Sequence, residues 1–181
     1  MANEDNDERL FPDLGSTTAD PREIPVRFVN KCPYTVDVFW MSFEKTPTKY
    51  GTLLQEQHLD IETFKIIHPW VARRSFDGVK LKVNGNAVFW PEPGSPNVRI
   101  QCVITPKKKN SQYFFVPVLS LKEMASRKMI MEGRAIDLLR LPRDLQLEVR
   151  GFHEKMEEYL EIVRRSVPPP ARRPPLPPAA Q

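Results

Sequence analysis

Apolar and polar side chains alternate along several short stretches in the first two thirds of the chain. The alternation has a period of two over residues 34–41, 59–63, 79–83 and 98–104, and turn-forming residues rich in Pro, Gly and Asn separate these stretches. Because neighbouring side chains of a strand point to opposite faces, the pattern predicts half-buried strands. About seven such strands at this spacing predict an antiparallel β-sandwich or barrel over residues 24–117.

The apolar pattern changes to a helical period after Pro117, and we expect a small three-helix α domain over residues 118–166. The first helix would begin with a capping box, in which Ser120 and Glu123 satisfy each other's backbone amides. A second short helical turn is expected over residues 136–141. Pro142 suits the first position of a third helix, whose apolar residues step by three or four: Leu145, Val149, Phe152, Met156, Leu160 and Val163.

Composition shifts at both ends of the chain. Residues 1–20 carry six acids and one base, and residues 1–23 are predicted to be a disordered acidic segment. Residues 167–181 are nearly half proline, which predicts a disordered, extended polyproline tail. Residues 21–181 carry a net charge of +9, which is too small a surplus to indicate nucleic-acid binding by itself.

Residues that catalyse reactions are scarce. The chain has two cysteines and three histidines, without a CxxC motif, so a disulfide scaffold or a zinc site is not expected. It also has no nucleophile elbow, glycine-rich phosphate loop or carboxylate cluster, so we expect neither an enzyme nor a metal or other cofactor. No signal peptide and no run of about 18 apolar residues is present, which predicts a soluble intracellular protein without membrane insertion.

A group of aromatic and polar side chains lies near the ends of the predicted strands: Trp40, Tyr50, Thr63, His68 and Trp70. Two interpretations fit this group. A tryptophan on an alternating strand usually packs in the core. Rings that accompany a hydroxyl and an imidazole are also suited to holding a ring-shaped ligand with one polar substituent. The residues alone favour packing and leave ligand binding as the alternative.

Two further motifs point to partners of another kind. The three lysines at 107–109 are most simply a solvated hairpin tip, and a nucleic-acid contact is the alternative. Residues 172–178 fit the RxxPxxP pattern that polyproline-binding grooves accept, although such matches are frequent in disordered tails. Together these motifs support an alternative function, in which the protein is a non-catalytic β-sandwich scaffold that acts through its basic face and its proline-rich tail.

Four motifs in a fixed order resemble the von Hippel-Lindau tumour-suppressor protein family: residues 38–43 (VFWMSF) with Tyr50 seven residues later, residues 63–70 (TFKIIHPW), residues 83–91 (VNGNAVFWP) and residues 117–123 (PVLSLKE). The resemblance covers about residues 26–148. It implies a β-sandwich followed by a three-helix α domain. It also implies a substrate-recognition subunit of a cullin-RING ubiquitin ligase, expected in the cytoplasm and nucleus.

The resemblance assigns a ligand to the aromatic group. In this family the β domain binds a hydroxyproline of hypoxia-inducible factor alpha. The resemblance implies that Trp40, Tyr50 and Trp70 enclose the pyrrolidine ring, and that Thr63 and His68 bond its hydroxyl. Hydroxylation by an oxygen-consuming enzyme would then switch binding on.

The resemblance also assigns partners to the helical part. Residues 120–125 resemble the family's elongin C-binding box, with Leu121 as the anchor and elongin B as the associated subunit. Residues that would share this elongin C contact are Ser120, Met124, Ala125 and Met129. The segment 141–145 resembles the element that contacts a cullin-2-type scaffold. The residues implied in that contact are Lys122, Pro142 and Leu145.

Three positions depart from the family pattern. One extra residue separates Thr63 from His68, which leaves the aim of the Thr63 side chain open because a one-residue slip in a strand reverses its faces. Glu62 stands where vertebrate members have a histidine, and Ala125 stands where they have a cysteine. The acidic start and the proline-rich tail have no match in the family.

Overall fold

The computed structural model describes residues 9–17, 23–64, 68–92, 97–101, 121–131 and 141–166. These residues form seven strands and two helices: β1 Glu23–Asn30, β2 Val36–Met41, β3 Pro47–Leu53, β4 His58–Phe64, β5 Trp70–Arg74, β6 Lys80–Val83, β7 Asn97–Gln101, α1 Leu121–Met131 and α2 Arg143–Arg165. The protein is therefore mainly β, as the alternating pattern predicts.

The strands follow the order β3-β2-β5-β6-β7-β1-β4. Neighbouring strands are antiparallel, except that β1 and β7 run parallel, with Phe28 opposite Val98. β6 pairs with β5 on one side and with β7 on the other, so it joins two halves of the sheet whose inner faces meet. The antiparallel prediction is thus confirmed with one parallel pair, because β7 returns beside β1 in the same direction.

One core fills the space between the two halves. Its largest members come from both of them, including Phe28 on β1, Val38 on β2, Trp70 on β5 and Ile100 on β7. On β1 every second residue from Ile24 onward is buried, which is the alternation that the sequence shows. The two end strands also approach each other, because a side chain at Gly51 of β3 would lie 3.2 Å from the Leu59 side chain of β4.

A second apolar cluster covers the outer face of β2 and β5. Phe39, Met41 and Val71 lie on that face and pack against Tyr159 of α2. Every residue of β5 is buried as a result. α2 therefore contacts both the sheet and the other helix, α1.

Residues 9–17, which we call the N-terminal strap, lie against this second cluster. Leu10 and Phe11 pack on it, and the Ser16 hydroxyl donates to the Met41 carbonyl oxygen at 2.6 Å. The prediction of disorder throughout residues 1–23 is therefore wrong for the strap. Two adjacent apolar side chains within the acidic stretch provide the burial that holds it.

The two described helices agree in part with the three that the sequence predicts. The predicted apolar stripe of α2 is buried or half-buried. The most buried residue of the helix, however, is Tyr159, which the prediction does not include. Pro142 is the N-cap residue of α2 and not its first helical residue. The capping residue Ser120, nearly all of the short helix at 136–141 and the tail at 167–181 lie outside the described residues. Neither described helix is long and apolar enough to cross a membrane.

Candidate functional site

The aromatic cluster, which we define as Trp40, Tyr50, Thr63, His68 and Trp70, forms where β2 ends and β5 begins. Trp40 lies directly opposite Trp70 in the antiparallel β2–β5 pair. Both tryptophans belong to the inner core or pack against it. Thr63 comes from β4, at the far end of the strand order, and reaches the cluster because the two halves of the sheet face each other.

A β-bulge aims Tyr50 into the cluster. Val38 of β2 pairs with Gly51, while Phe39 pairs with Lys49, so Tyr50 is the extra residue of β3. A bulge lets two consecutive residues leave the strict alternation of a strand, and bulges are common beside functional sites. The Tyr50 ring accordingly contacts Trp70, and Lys49 points to the outer face, where its Nζ lies 2.9 Å from Asp37.

Tyr50 meets both tryptophan rings of the cluster edge to face. The ring centroids of Tyr50 and Trp70 are 4.8 Å apart at an interplanar angle of 76°, and those of Trp40 and Tyr50 are 6.2 Å apart at 80°. Trp40 and His68 are separated by 5.3 Å. The two edge-to-face contacts of Tyr50 place the positive edge of one ring on the negative face of the other. The cluster thus offers an apolar wall that is stiff before any ligand arrives.

Thr63 points inward, and its hydroxyl oxygen accepts a hydrogen bond of 3.0 Å from Trp70 Nε1. Thr63 and Trp70 are each 1% exposed. β4 keeps its register with β1 as far as Phe64, which pairs with Glu23. The residue that this chain has in excess of the family pattern therefore does not reverse the faces of β4 before that point. Residues 65–67, where it would be accommodated, lie outside the described part of the chain.

His68 is half-buried, and burial lowers the pKa of its imidazole below the ordinary value. The imidazole is therefore neutral at pH 7 and carries one hydrogen-bond donor and one acceptor. Aromatic rings surround it, because His68 also contacts Phe64 at 4.9 Å and Phe43 at 5.8 Å. These two phenylalanines are neighbours that the sequence interpretation did not assign to the site, although Phe43 lies within its first motif.

One hydrogen-bond donor of this cluster is not used within the described residues. Trp40 Nε1 is buried and has no hydrogen-bond partner among the described residues. A buried donor of this kind costs free energy unless a ligand or a water molecule pairs with it. The described residues contain no group of three or more His, Cys, Asp or Glu that could hold a metal ion.

The surface of α1 presents the second predicted site. Leu121 is 82% exposed and Met124 is 46% exposed, Ala125 is also exposed, and Met129 is half-buried. These residues lie three or four apart, so they share one side of the helix. The exposed leucine protrudes from the helix and the small residue beside it leaves space, so a partner surface can cover both.

The residues implied in a cullin contact lie near the junction of the two helices. Lys122 Nζ is 3.7 Å from the Glu148 carboxylate, so this lysine connects α1 to α2. Pro142 is exposed and Leu145 is half-buried. The three side chains therefore belong to the same helical pair that presents Leu121.

A mainly β fold with antiparallel strands and an aromatic cluster at one end defines the class of this protein: a β-sandwich-like domain with helices packed on it. Residues 17–96 match the family model of the VHL beta domain. This segment of the chain is similar to the VHL beta domain, and the match supports membership of the VHL family. The matched range contains every residue of the aromatic cluster.

Proposed function

We propose that this protein is the substrate-recognition subunit of an elongin BC–cullin-2-type ubiquitin ligase that acts in the cytoplasm and nucleus. Its target would be a hydroxyproline-containing segment of hypoxia-inducible factor alpha, which it would direct to ubiquitination and degradation. The observation that carries the proposal is the placement of one hydroxyl and one neutral imidazole, those of Thr63 and His68, among three packed aromatic rings in the segment that matches the VHL beta domain.

The chemistry of this placement suits hydroxyproline. The rings of Trp40, Tyr50 and Trp70 would cover the carbon atoms of the pyrrolidine, while Thr63 and His68 would pair with its hydroxyl. An unmodified proline would leave the hydrogen of the Thr63 hydroxyl and one nitrogen of the half-buried His68 imidazole without a partner, at a cost of roughly 1–3 kcal/mol each. A site built around a substrate hydroxyl can reject the analogue that lacks it by factors of about 10⁴.

The helical part supplies the other half of the proposed function. Leu121 would enter a pocket of elongin C, and Lys122, Pro142 and Leu145 would face the cullin. An anchor residue that fills a partner's pocket commonly provides a large share of the binding free energy. The exposure of Leu121 supports this role, because a leucine in a helix usually packs inside its own protein.

One capture experiment tests both halves. An immobilised hydroxyprolyl peptide should capture the protein together with elongin C and the cullin, whereas the matched prolyl peptide should capture none of the three. Thr63→Val should abolish capture of the whole assembly. Leu121→Asp should leave the protein on the peptide and remove elongin C and the cullin, because a carboxylate cannot enter an apolar pocket without a partner.

Two variants outside the proposed contacts serve as controls. His58→Ala removes an exposed histidine of β4, and Leu54→Asp places the same carboxylate on a leucine that is 56% exposed in the β3–β4 turn. Both should capture the full assembly. Equal capture by the hydroxyprolyl and prolyl peptides would refute the proposed target, and unchanged elongin C capture by Leu121→Asp would refute the proposed docking.

A further inference from the structure

Trp70 is held by contacts of its backbone, its ring and its indole N–H. Its backbone exchanges two hydrogen bonds with Phe89, at 2.9 and 2.8 Å. Its ring lies 5.3 Å from Phe28 and 4.8 Å from Tyr50. The direction of its indole N–H is therefore set from several sides, and that N–H meets the Thr63 hydroxyl oxygen at 3.0 Å.

The direction of this hydrogen bond follows from the chemistry of the two groups. An indole nitrogen can only donate, so Trp70 donates and the Thr63 oxygen accepts. Thr63 is β-branched and lies in a strand, so its χ1 angle is restricted as well. Trp70 occupies one of the two acceptor sites of the hydroxyl, whose own hydrogen is available for donation to a further partner.

We propose that Trp70 is a positioning residue for ligand recognition: its indole N–H fixes Thr63 as the donor to the ligand hydroxyl, which must then give its hydrogen to His68. This inference rests on the proposed function, in which that hydroxyl belongs to a hydroxyproline. It adds an ordered chain of donors, from Trp70 to Thr63, from Thr63 to the ligand and from the ligand to His68.

The last step of this chain is required by hydrogen-bond satisfaction. If His68 also donated to the ligand oxygen, the hydroxyl hydrogen would remain buried and unpaired, which costs free energy. A neutral imidazole supplies the acceptor that avoids this cost. Among the described residues, the aromatic rings in contact with His68 are those of Trp40, Phe43 and Phe64.

A double-mutant cycle tests the role of Trp70. The measured quantity is the ratio of the dissociation constants of a prolyl peptide and its hydroxyprolyl twin, determined by calorimetry on the full 181-residue chain. Trp70→Phe should lower this ratio about three- to tenfold, as expected for one neutral hydrogen bond. In a Thr63→Val background the same substitution should change the ratio less than about twofold, because the coupled partner is absent.

A second replacement separates the N–H from the size of the ring. Benzothienylalanine at position 70 keeps the bicyclic shape and replaces the N–H by sulfur, so it should fold even if Trp70→Phe does not, and it should lower the ratio equally. Thr63→Ser keeps a hydroxyl that can accept from Trp70, and it should retain most of the preference.

The measurements distinguish a failure of the proposed function from a failure of the role of Trp70. If the unsubstituted chain binds both peptides equally, the proposed function and this inference are both overturned. If the unsubstituted chain prefers the hydroxyprolyl peptide but benzothienylalanine leaves the ratio unchanged, only the role of Trp70 is overturned. Equal weakening of both peptides would also overturn it, because that result is expected of ring packing alone.

Discussion

Asp37 shows how this protein accommodates a charge at a buried position. It lies on the outer face of β2 and is fully buried. Three groups pair with its carboxylate: Lys49 Nζ at 2.9 Å, the Thr52 hydroxyl at 2.6 Å and the Tyr159 hydroxyl at 2.5 Å. A buried carboxylate is tolerated when its charge is paired and its oxygens are hydrogen-bonded. Tyr159 is therefore more than an apolar contact of α2.

Replacing Tyr159 by phenylalanine should keep the packing of the ring and remove one hydrogen bond to a charge. We expect the free energy of unfolding to fall by about 1.5–3 kcal/mol, measured by denaturant titration at pH 7. A loss below a few tenths of a kcal/mol would show that the hydroxyl makes no net contribution.

The same hydroxyl gives a dependence on pH. Burial and the neighbouring Asp37 raise the pKa of Tyr159 above its ordinary value of 10.0. A raised pKa favours the protonated folded state, so its contribution is complete below pH 10 and is lost as the pH rises further. Above pH 10 the unsubstituted chain should therefore lose stability more steeply than Tyr159→Phe, and parallel curves would contradict this assignment.

At the scale of elements, Asp77 joins the β domain to α1. It follows β5 and is paired with Arg74 and, across 50 residues of sequence, with Arg127 Nη1 of α1 at 2.7 Å. The Arg127 guanidinium lies over the ring of Phe152 on α2, 4.7 Å from its centroid. Burial lowers the pKa of Arg127, and the charge of Asp77 opposes that shift. One carboxylate thus ties α1 to the sheet.

Substitution of Arg127 by methionine should loosen α1 and leave the sheet intact. We expect faster amide hydrogen exchange throughout α1, corresponding to about 2 kcal/mol of lost local stability, with unchanged protection in β2 and β5. Lys128→Met, at an exposed cation of the same helix, is the matched control. Equal exchange in both variants would show that the pair with Asp77 does not hold the helix.

At the scale of the whole molecule, the N-terminal strap and α2 cover the same outer face of the sheet. Arg73 lies beneath the strap, where its Nε and Nη2 donate to the Leu10 carbonyl oxygen at 3.0 and 2.7 Å. Its guanidinium also lies 4.9 Å from the centroid of the Phe11 ring. Burial lowers the pKa of Arg73 to about 10. The strap therefore provides the acceptor that this buried cation needs.

Truncation of residues 1–17 should lower the free energy of unfolding by about 2–4 kcal/mol, because it removes the acceptor of a buried charge and the packing of Phe11. Truncation of residues 1–8 is the control, since it keeps Leu10 and Phe11. Denaturant midpoints of the two truncated chains should differ clearly, and equal midpoints would contradict a stabilising role for the strap.

The strands could be predicted from the sequence because each alternating run, such as residues 34–41, reports on its own two faces. The residues of the aromatic cluster could be named from the sequence, but only the family resemblance favoured ligand binding over packing, because Thr63 and Trp70 look like ordinary strand residues. The bulge at Tyr50 escaped prediction, since it is visible only once β2 and β3 are paired. Tyr159 and Asp37 are 122 residues apart, and no local pattern connects them.

That long separation also determines when the molecule can complete its folding during synthesis. A ribosome adds about 5–20 residues per second, so Phe39 and Val71 emerge several seconds before Tyr159 can cover them. A chain that a premature stop codon ends before position 159 would retain the inner core and expose the outer face of β2 and β5. Such a product would carry the aromatic cluster and still be prone to aggregation and proteolysis.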